Sequence, residues 1–247
     1  MRILRIAIVP ALVSVLIGVL TGCGHRGSMH ALPPTAGAGN GNVLGAVRKP
    51  RTINEAAYPN AVIADTPLAF YRLNDAGSTM SDSGANGLNG SYGTSVGHNA
   101  GSLVPNTIDP AAAFPGGAWS ANAIGTVAHS TTLQPANIAL EAWVSEKSVN
   151  SGGYVDLVSY GPQSAGQAYS LQLSPTNTIS GFVAVTNSPG YSQFTGSTVL
   201  TPGTAYHVVL AYDGTAPKLY VNGKLETGTA DGATSGGALG YGGVGTT

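Results

Sequence analysis

HVVLAYDGTAPKLYVNG, residues 207–223, decides the fold class. With Tyr206 in front of it, Tyr206, Val208, Leu210 and Tyr212 fall on one face of an extended chain and His207, Val209 and Ala211 on the other. Both faces are apolar enough for a strand with a neighbour on each side. Asp213 to Ala216 (DGTA) then supplies turn chemistry, Lys218 to Val221 resumes the extended pattern, and Asn222 with Gly223 turns the chain again. These signals define a β-meander.

The same texture of short alternating runs between Gly, Asn, Asp and Pro begins at Tyr58. Ala69 to Leu73, Ile138 to Ser145, Tyr154 to Ser159, Tyr169 to Leu173, Ile179 to Val185, Ala205 to Tyr212 and Lys218 to Val221 are the expected strands. In the fourth of these, Tyr169, Leu171 and Leu173 share one face and Ser170, Gln172 and Ser174 the other, which predicts a half-buried strand. Asn54 to Ala61 invites a helical turn, and no internal repeat is present. The fold class is therefore all-β, a sandwich of two antiparallel sheets. A domain of about 190 residues buries roughly 70% of its unfolded surface, enough to fold alone.

The N-terminus has a different character. Arg2 and Arg5 precede an apolar run from Ile6 to Leu20, too short at about 15 residues for a bilayer-spanning helix of about 20. Small residues Thr21 and Gly22 then precede Cys23, the one cysteine of the chain. This is the layout of an export signal over residues 1–22. Leu20 to Cys23 resembles the bacterial lipobox, which implies a diacylglyceryl thioether on Cys23 and cleavage just before it. The chain is then expected to be exported and lipid-anchored to the bacterial cell envelope, with the membrane as its first partner. Acyl chains hold a protein there through about 0.8 kcal/mol per buried methylene. From Cys23 to residue 55 the chain is rich in Gly and Pro without periodic apolar pattern, the composition of a flexible linker with a span of roughly 30 Å. Residues 56–247 form the expected sandwich domain.

From residue 56 onward four bases face ten acids, a net of −6. Nucleic-acid binders gain affinity by neutralising phosphates, so this composition argues against a nucleic-acid partner. Few charges and abundant Gly, Ser, Thr and Asn suit a loop-rich β protein outside the cytoplasm.

Taken in order, Tyr58 with Val62, Asp65 to Asp75 (DTPLAFYRLND), Asp82 to Gly90 (DSGANGLNG), Ala112 to Gly116 (AAFPG), Glu141 to Val144 (EAWV), Tyr160 with Gly161, and His207 to Gly223 resemble the LamG-like jelly-roll family. That family, with laminin G and pentraxin domains, sits on the concanavalin A-like sandwich. The resemblance implies a jelly roll and a binding function, with two departures. Pro115 stands where members carry an acidic residue or Asn. Members also finish with a strand bearing Asp-Glu and an aromatic, which this chain lacks after Leu239 to Tyr241. The resemblance thus implies a sandwich without its C-terminal strand, an open edge at Ala69 to Leu73, and a truncated product or a partner strand supplied to that edge.

Catalytic chemistry is hard to assemble. Retaining glucanases of the same sandwich use two carboxylates on one strand face, about 5 Å apart. The nearest candidate here, Glu141 to Glu146 (EAWVSE), spaces its acids five apart, which sends them to opposite faces. Trp143 and His207 are expected in structural roles. Tyr191 and Phe194, in a loop rich in Gly, Ser, Pro and Thr, are the candidate ligand-binding aromatics. Asp82, Asn86 and Asn89 place hard oxygens in one loop, a candidate Ca²⁺ site or an ordinary set of turn caps. The expected function is a non-catalytic, surface-anchored module that binds a glycan or an extracellular protein in adhesion. The alternatives are a structural envelope module, a fragment of a larger protein, and, more remotely, a polysaccharide-active glycosidase.

Overall fold

A computed structural model describes residues 56–116, 120–150, 152–161, 166–233 and 236–242. The described residues form one α-helix, α1 (Ala57–Ala64), and fourteen strands: β1 (Thr79–Met80), β2 (Gly90–Tyr92), β3 (Gly97–Ala100), β4 (Ala111–Ala113), β5 (Gly125–Val127), β6 (Ile138–Val144), β7 (Val155–Tyr160), β8 (Tyr169–Leu173), β9 (Thr178–Ala184), β10 (Tyr191–Val199), β11 (Tyr206–Tyr212), β12 (Lys218–Val221), β13 (Lys224–Leu225) and β14 (Gly228–Gly232). The expected leader over residues 1–22, Cys23 and the linker to residue 55 lie outside the described residues.

The meander places β11 between β12 and β6 in a four-stranded sheet of order β13-β12-β11-β6. Asn222 and Gly223 both take left-handed backbone, φ 51° and 76°, as the tight turn before β13 requires. A second sheet has the order β14-β10-β9-β8-β7, and two small sheets, β1-β2-β5 and β3-β4, complete the architecture. All ladders are antiparallel. The two large sheets bury Leu140, Val208, Leu210 and Leu219 against Leu171, Ile179 and Val183 in one continuous core. The result is the all-β sandwich that alternation predicts.

Gly181 sets how closely the sheets approach. A Cβ at this position of β9 would lie 2.4 Å from Leu210 Cδ1 and 3.1 Å from Leu219 Cδ2, both on the facing sheet. Protein cores pack at crystal-like density, so that space is already taken.

Several expected elements are corrected. Ala69 to Leu73 is no strand: it makes a single bridge, Tyr71 to Asp82. It is instead a buried extended segment, Ala69 to Tyr71 having 1% exposure or less, whose backbone is held by a carboxylate rather than a ladder. Thr66 and Leu73 bracket it in left-handed backbone, φ 51° and 57°, which no regular strand accommodates. The open strand edge expected there does not exist in that form. β8 is buried on both faces, with Gln172 only 3% exposed, because side-chain amides there are tied to Asp156. The helical turn falls at Ala57–Ala64, with Pro59 in the first turn, where a missing N–H costs nothing. Tyr191 and Phe194 lie in the longest strand of the sandwich, β10, rather than in a loop.

Replacing Gly181 by Ala is expected to destabilise the domain by about 1–3 kcal/mol through overpacking. Gly77, with open space at its Cβ position, is the control, and Gly77→Ala is expected to stay within about 0.5 kcal/mol of wild type. Urea unfolding of both variants checks this. Equal midpoints would show that the sheets yield at Gly181.

Candidate functional site

The two outer faces of the sandwich differ in chemistry. On β6, Leu140, Ala142 and Val144 point into the inter-sheet core, so Glu141 and Trp143 point outward. Helix α1 covers them. Glu141, 1% exposed, accepts from the Tyr58 hydroxyl at Oε1 over 2.7 Å, and the same oxygen lies 2.7 Å from His207 Nε2. Val62 and Phe70 form a small second core with Tyr58, Val104 and Trp143 above this sheet. Trp143 meets His207 at a ring distance of 5.2 Å and Tyr58 edge-on at 6.4 Å. A cavity of about 360 Å³ lies beside Trp143, with Tyr58, Val104 and Pro105 in its walls. Glu141 is thus committed to holding the helix and β11 together, and it is not presented to solvent as a catalytic acid.

The outer face of the five-stranded sheet is polar. Phe194 packs toward the main core and pairs with Gly181, which leaves Tyr191, Gln193 and Thr195 of β10 pointing outward. Opposite them, across the ladders, stand Phe182 and Ser180 of β9 and Thr229 and Asp231 of β14. The polar groups brace one another. Gln193 Nε2 donates to Ser180 Oγ over 2.9 Å, and Ser180 Oγ lies 3.0 Å from Thr195 Oγ1. Further along the sheet, Asp156 accepts from Gln172 and Gln167 Nε2, each over 2.9 Å. Burial pushes the Asp156 carboxyl above its ordinary range, against the pull of those two amides.

A groove of about 710 Å³ crosses this face. Gln193, Thr195, Gly196, Gly228 and Asp231 line it on one side and Tyr154 with the Ser174–Thr178 turn on the other. Gly196 and Gly228 are ladder partners. A Cβ on Gly228 would meet the Thr195 carbonyl, so no side chain fits there. Its size falls within the range of about 300–1,000 Å³ usual for ligand sites.

The two sequence-nominated aromatics separate across the sheet. Tyr191 points outward, stacks on Phe182 at 6.0 Å and 14°, and donates to Asp231 over 3.1 Å. Phe194 packs inward. Gln193, Thr195 and Asp231 escape a sequence reading because Ser, Thr and Gly on both faces of β10 and β14 read as loop. The signal available was the alternation of Tyr191, Gln193 and Thr195 with Phe194 between them.

Asp82, Asn86 and Asn89 meet in one loop without forming a cation cage. Asp82 Oδ1 accepts from the Phe70 and Gly84 N–H groups, each over 2.8 Å, and Oδ2 from Leu88 N–H over 2.9 Å. Asn89 Oδ1 accepts from Asp82 N–H, and Asn86 donates to the Leu68 carbonyl. With the Asp82 and Asn89 oxygens turned to N–H donors and the Asn86 amide spent on a carbonyl, these residues do not fit a calcium ion. Among the described residues no three His, Cys, Asp or Glu side chains cluster as metal ligands.

Glu146 is 6% exposed, and among the described residues neither carboxylate oxygen has a hydrogen-bond partner of good geometry. Burial raises its pKa, with the Asn177 amide pulling the other way.

These features define an antiparallel β-sandwich with a ligand-sized groove across one sheet. A family model described as the concanavalin A-like lectin/glucanases superfamily matches residues 120–243, and the chain belongs to that family. The match begins after the segments from Tyr58 to Gly116. Comparison with curated proteins and with solved structures gave no match.

Glu146 carries a pH signature. A carboxyl whose folded pKa is raised contributes stability fully present below its unfolded value and lost as pH rises through the folded one. Glu146→Gln is therefore expected to raise Tm at pH 7 and to leave it unchanged near pH 4. A Tm difference independent of pH would assign the effect to packing.

Proposed function

We propose that this domain is a non-catalytic binding module that lays a glycan chain in the groove of the five-stranded sheet, displayed on the outside of a bacterial envelope by a lipid on Cys23. The observation that carries the reading is the groove itself. Its floor is built of amide and hydroxyl groups fixed by mutual hydrogen bonds. Tyr154, 40% exposed, stands at its rim, and the Tyr191–Phe182 stack lies beside it. Sugars present hydroxyls around an apolar ring face, and a surface of preset polar groups with an aromatic wall answers both.

Hydrolysis of a glycosidic bond calls for two carboxyl groups flanking it. Among the described residues that line the groove, Asp231 is the one carboxyl. Glu141 belongs to the other sheet and is engaged by Tyr58 and His207. Binding without turnover is the chemistry this arrangement supports. The anchor rests on the spacing of Arg2, Arg5, the apolar run and Cys23.

A glycan array probed with the full-length chain tests the module, with calcium and with chelator. Binding is expected under both conditions. Gln193→Ala and Thr195→Ala are each expected to weaken it by about tenfold, the worth of one or two hydrogen bonds. Affinity unmoved by either change would place the site elsewhere. For the anchor, metabolic labelling with an alkyne fatty acid is expected to mark the wild-type chain and to leave Cys23→Ser unlabelled. A labelled Cys23→Ser chain would refute lipidation at that residue.

A further inference from the structure

We infer that the groove discriminates by charge, accepting uncharged glycan chains and rejecting polyanionic ones. The inference rests on the groove being the glycan site proposed above, and it names the class of chain admitted.

Asp231 is the one carboxylate among the groove-lining residues. It is held in place by two donors: Oδ2 accepts from the Tyr191 hydroxyl over 3.1 Å, and Oδ1 from Gly232 N–H over 2.8 Å. Neither donor carries a positive charge. No lysine or arginine lines the groove among the described residues. Of the four bases after residue 55, Arg72 is paired with Asp109 at 2.7 Å and Lys218 with Asp213 at 3.2 Å, and Lys147 and Lys224 are absent from the lining. The domain as a whole adds the same sign, with ten acids to four bases.

A chain bearing a carboxylate or sulfate on each unit would meet this field along its length and find no cation to answer it. Desolvating an anionic group without a partner is costly, and a like charge adds to that cost. A neutral chain meets Gln193, Thr195, Ser197 and Thr229, which donate and accept through uncharged groups. Its binding depends little on ionic strength, because no counterions are displaced.

Affinity electrophoresis of the full-length chain tests this, using hydroxyethyl cellulose and laminarin as neutral probes and carboxymethyl cellulose and polygalacturonate as anionic ones. Retardation is expected in at least one neutral gel, unchanged between about 50 mM and about 500 mM salt. The anionic gels are expected to leave migration unaltered. Asp231→Lys is expected to shift the preference for carboxymethyl over hydroxyethyl cellulose by about tenfold, with Asp231→Asn between it and wild type. Retardation by the anionic polymers at least as strong as by the neutral ones overturns charge discrimination while leaving the groove as a glycan site. A preference unmoved by Asp231→Lys overturns it too, since the discriminating charge then lies elsewhere. Retardation by none of the four polymers counts against the groove reading and this inference together.

Discussion

A carboxylate sits at the middle of β6 with 1% of its surface exposed, and the layers around it are arranged to meet that demand. A buried carboxyl group is tolerated only where hydrogen bonds replace its water. Glu141 obtains them from Tyr58 on α1 and His207 on β11, so one oxygen joins the helix, the strand it stands on and the strand beside it. Trp143, one step outward on the same face, closes the arrangement against both rings. With α1 committed to this side, Glu141 and Trp143 of the four-stranded sheet are covered, and the groove lies on the five-stranded sheet.

The strands that sequence alternation reveals are those with one periodic apolar face. Tyr206 to Tyr212 and Lys218 to Val221 are legible because Val208, Leu210, Leu219 and Val221 repeat at period two and end at strong turn residues. β10 and β14 are not, because Ser192 and Gly196 occupy inward positions where an apolar residue is the usual mark. Gly181 shows why small residues sit inside: the facing leucines fill the space a side chain would need. Ala69 to Leu73 misled in the opposite sense. Its apolar run is core, yet its amide and carbonyl partners come from Asp82 and Ser83, which no period reports.

The candidate site was legible in its parts and hidden in its assembly. Tyr191 could be named from composition, and its platform role with Phe182 required the register of β9 on β10. Asp82, Asn86 and Asn89 do gather in one loop, where oxygen count alone leaves metal ligation and turn capping both open. The geometry shows the Asp82 and Asn89 oxygens accepting backbone N–H groups, which gives the loop a staple between distant segments. Oxygen-rich loops serve either purpose, and the direction of the N–H groups decides between them. Asp231 could not have been singled out at all, since a lone exposed acid in a polar run acquires meaning only from what surrounds it.

The placement of α1 has a consequence for presentation. The described chain enters through that helix on the back of the four-stranded sheet, and the groove opens on the far side of the sandwich, with the full thickness of both sheets between them. Load applied at α1 is received first by the Tyr58–Glu141 contact and the Val62–Phe70 packing, away from the groove. Helix and groove occupy opposite poles of the domain.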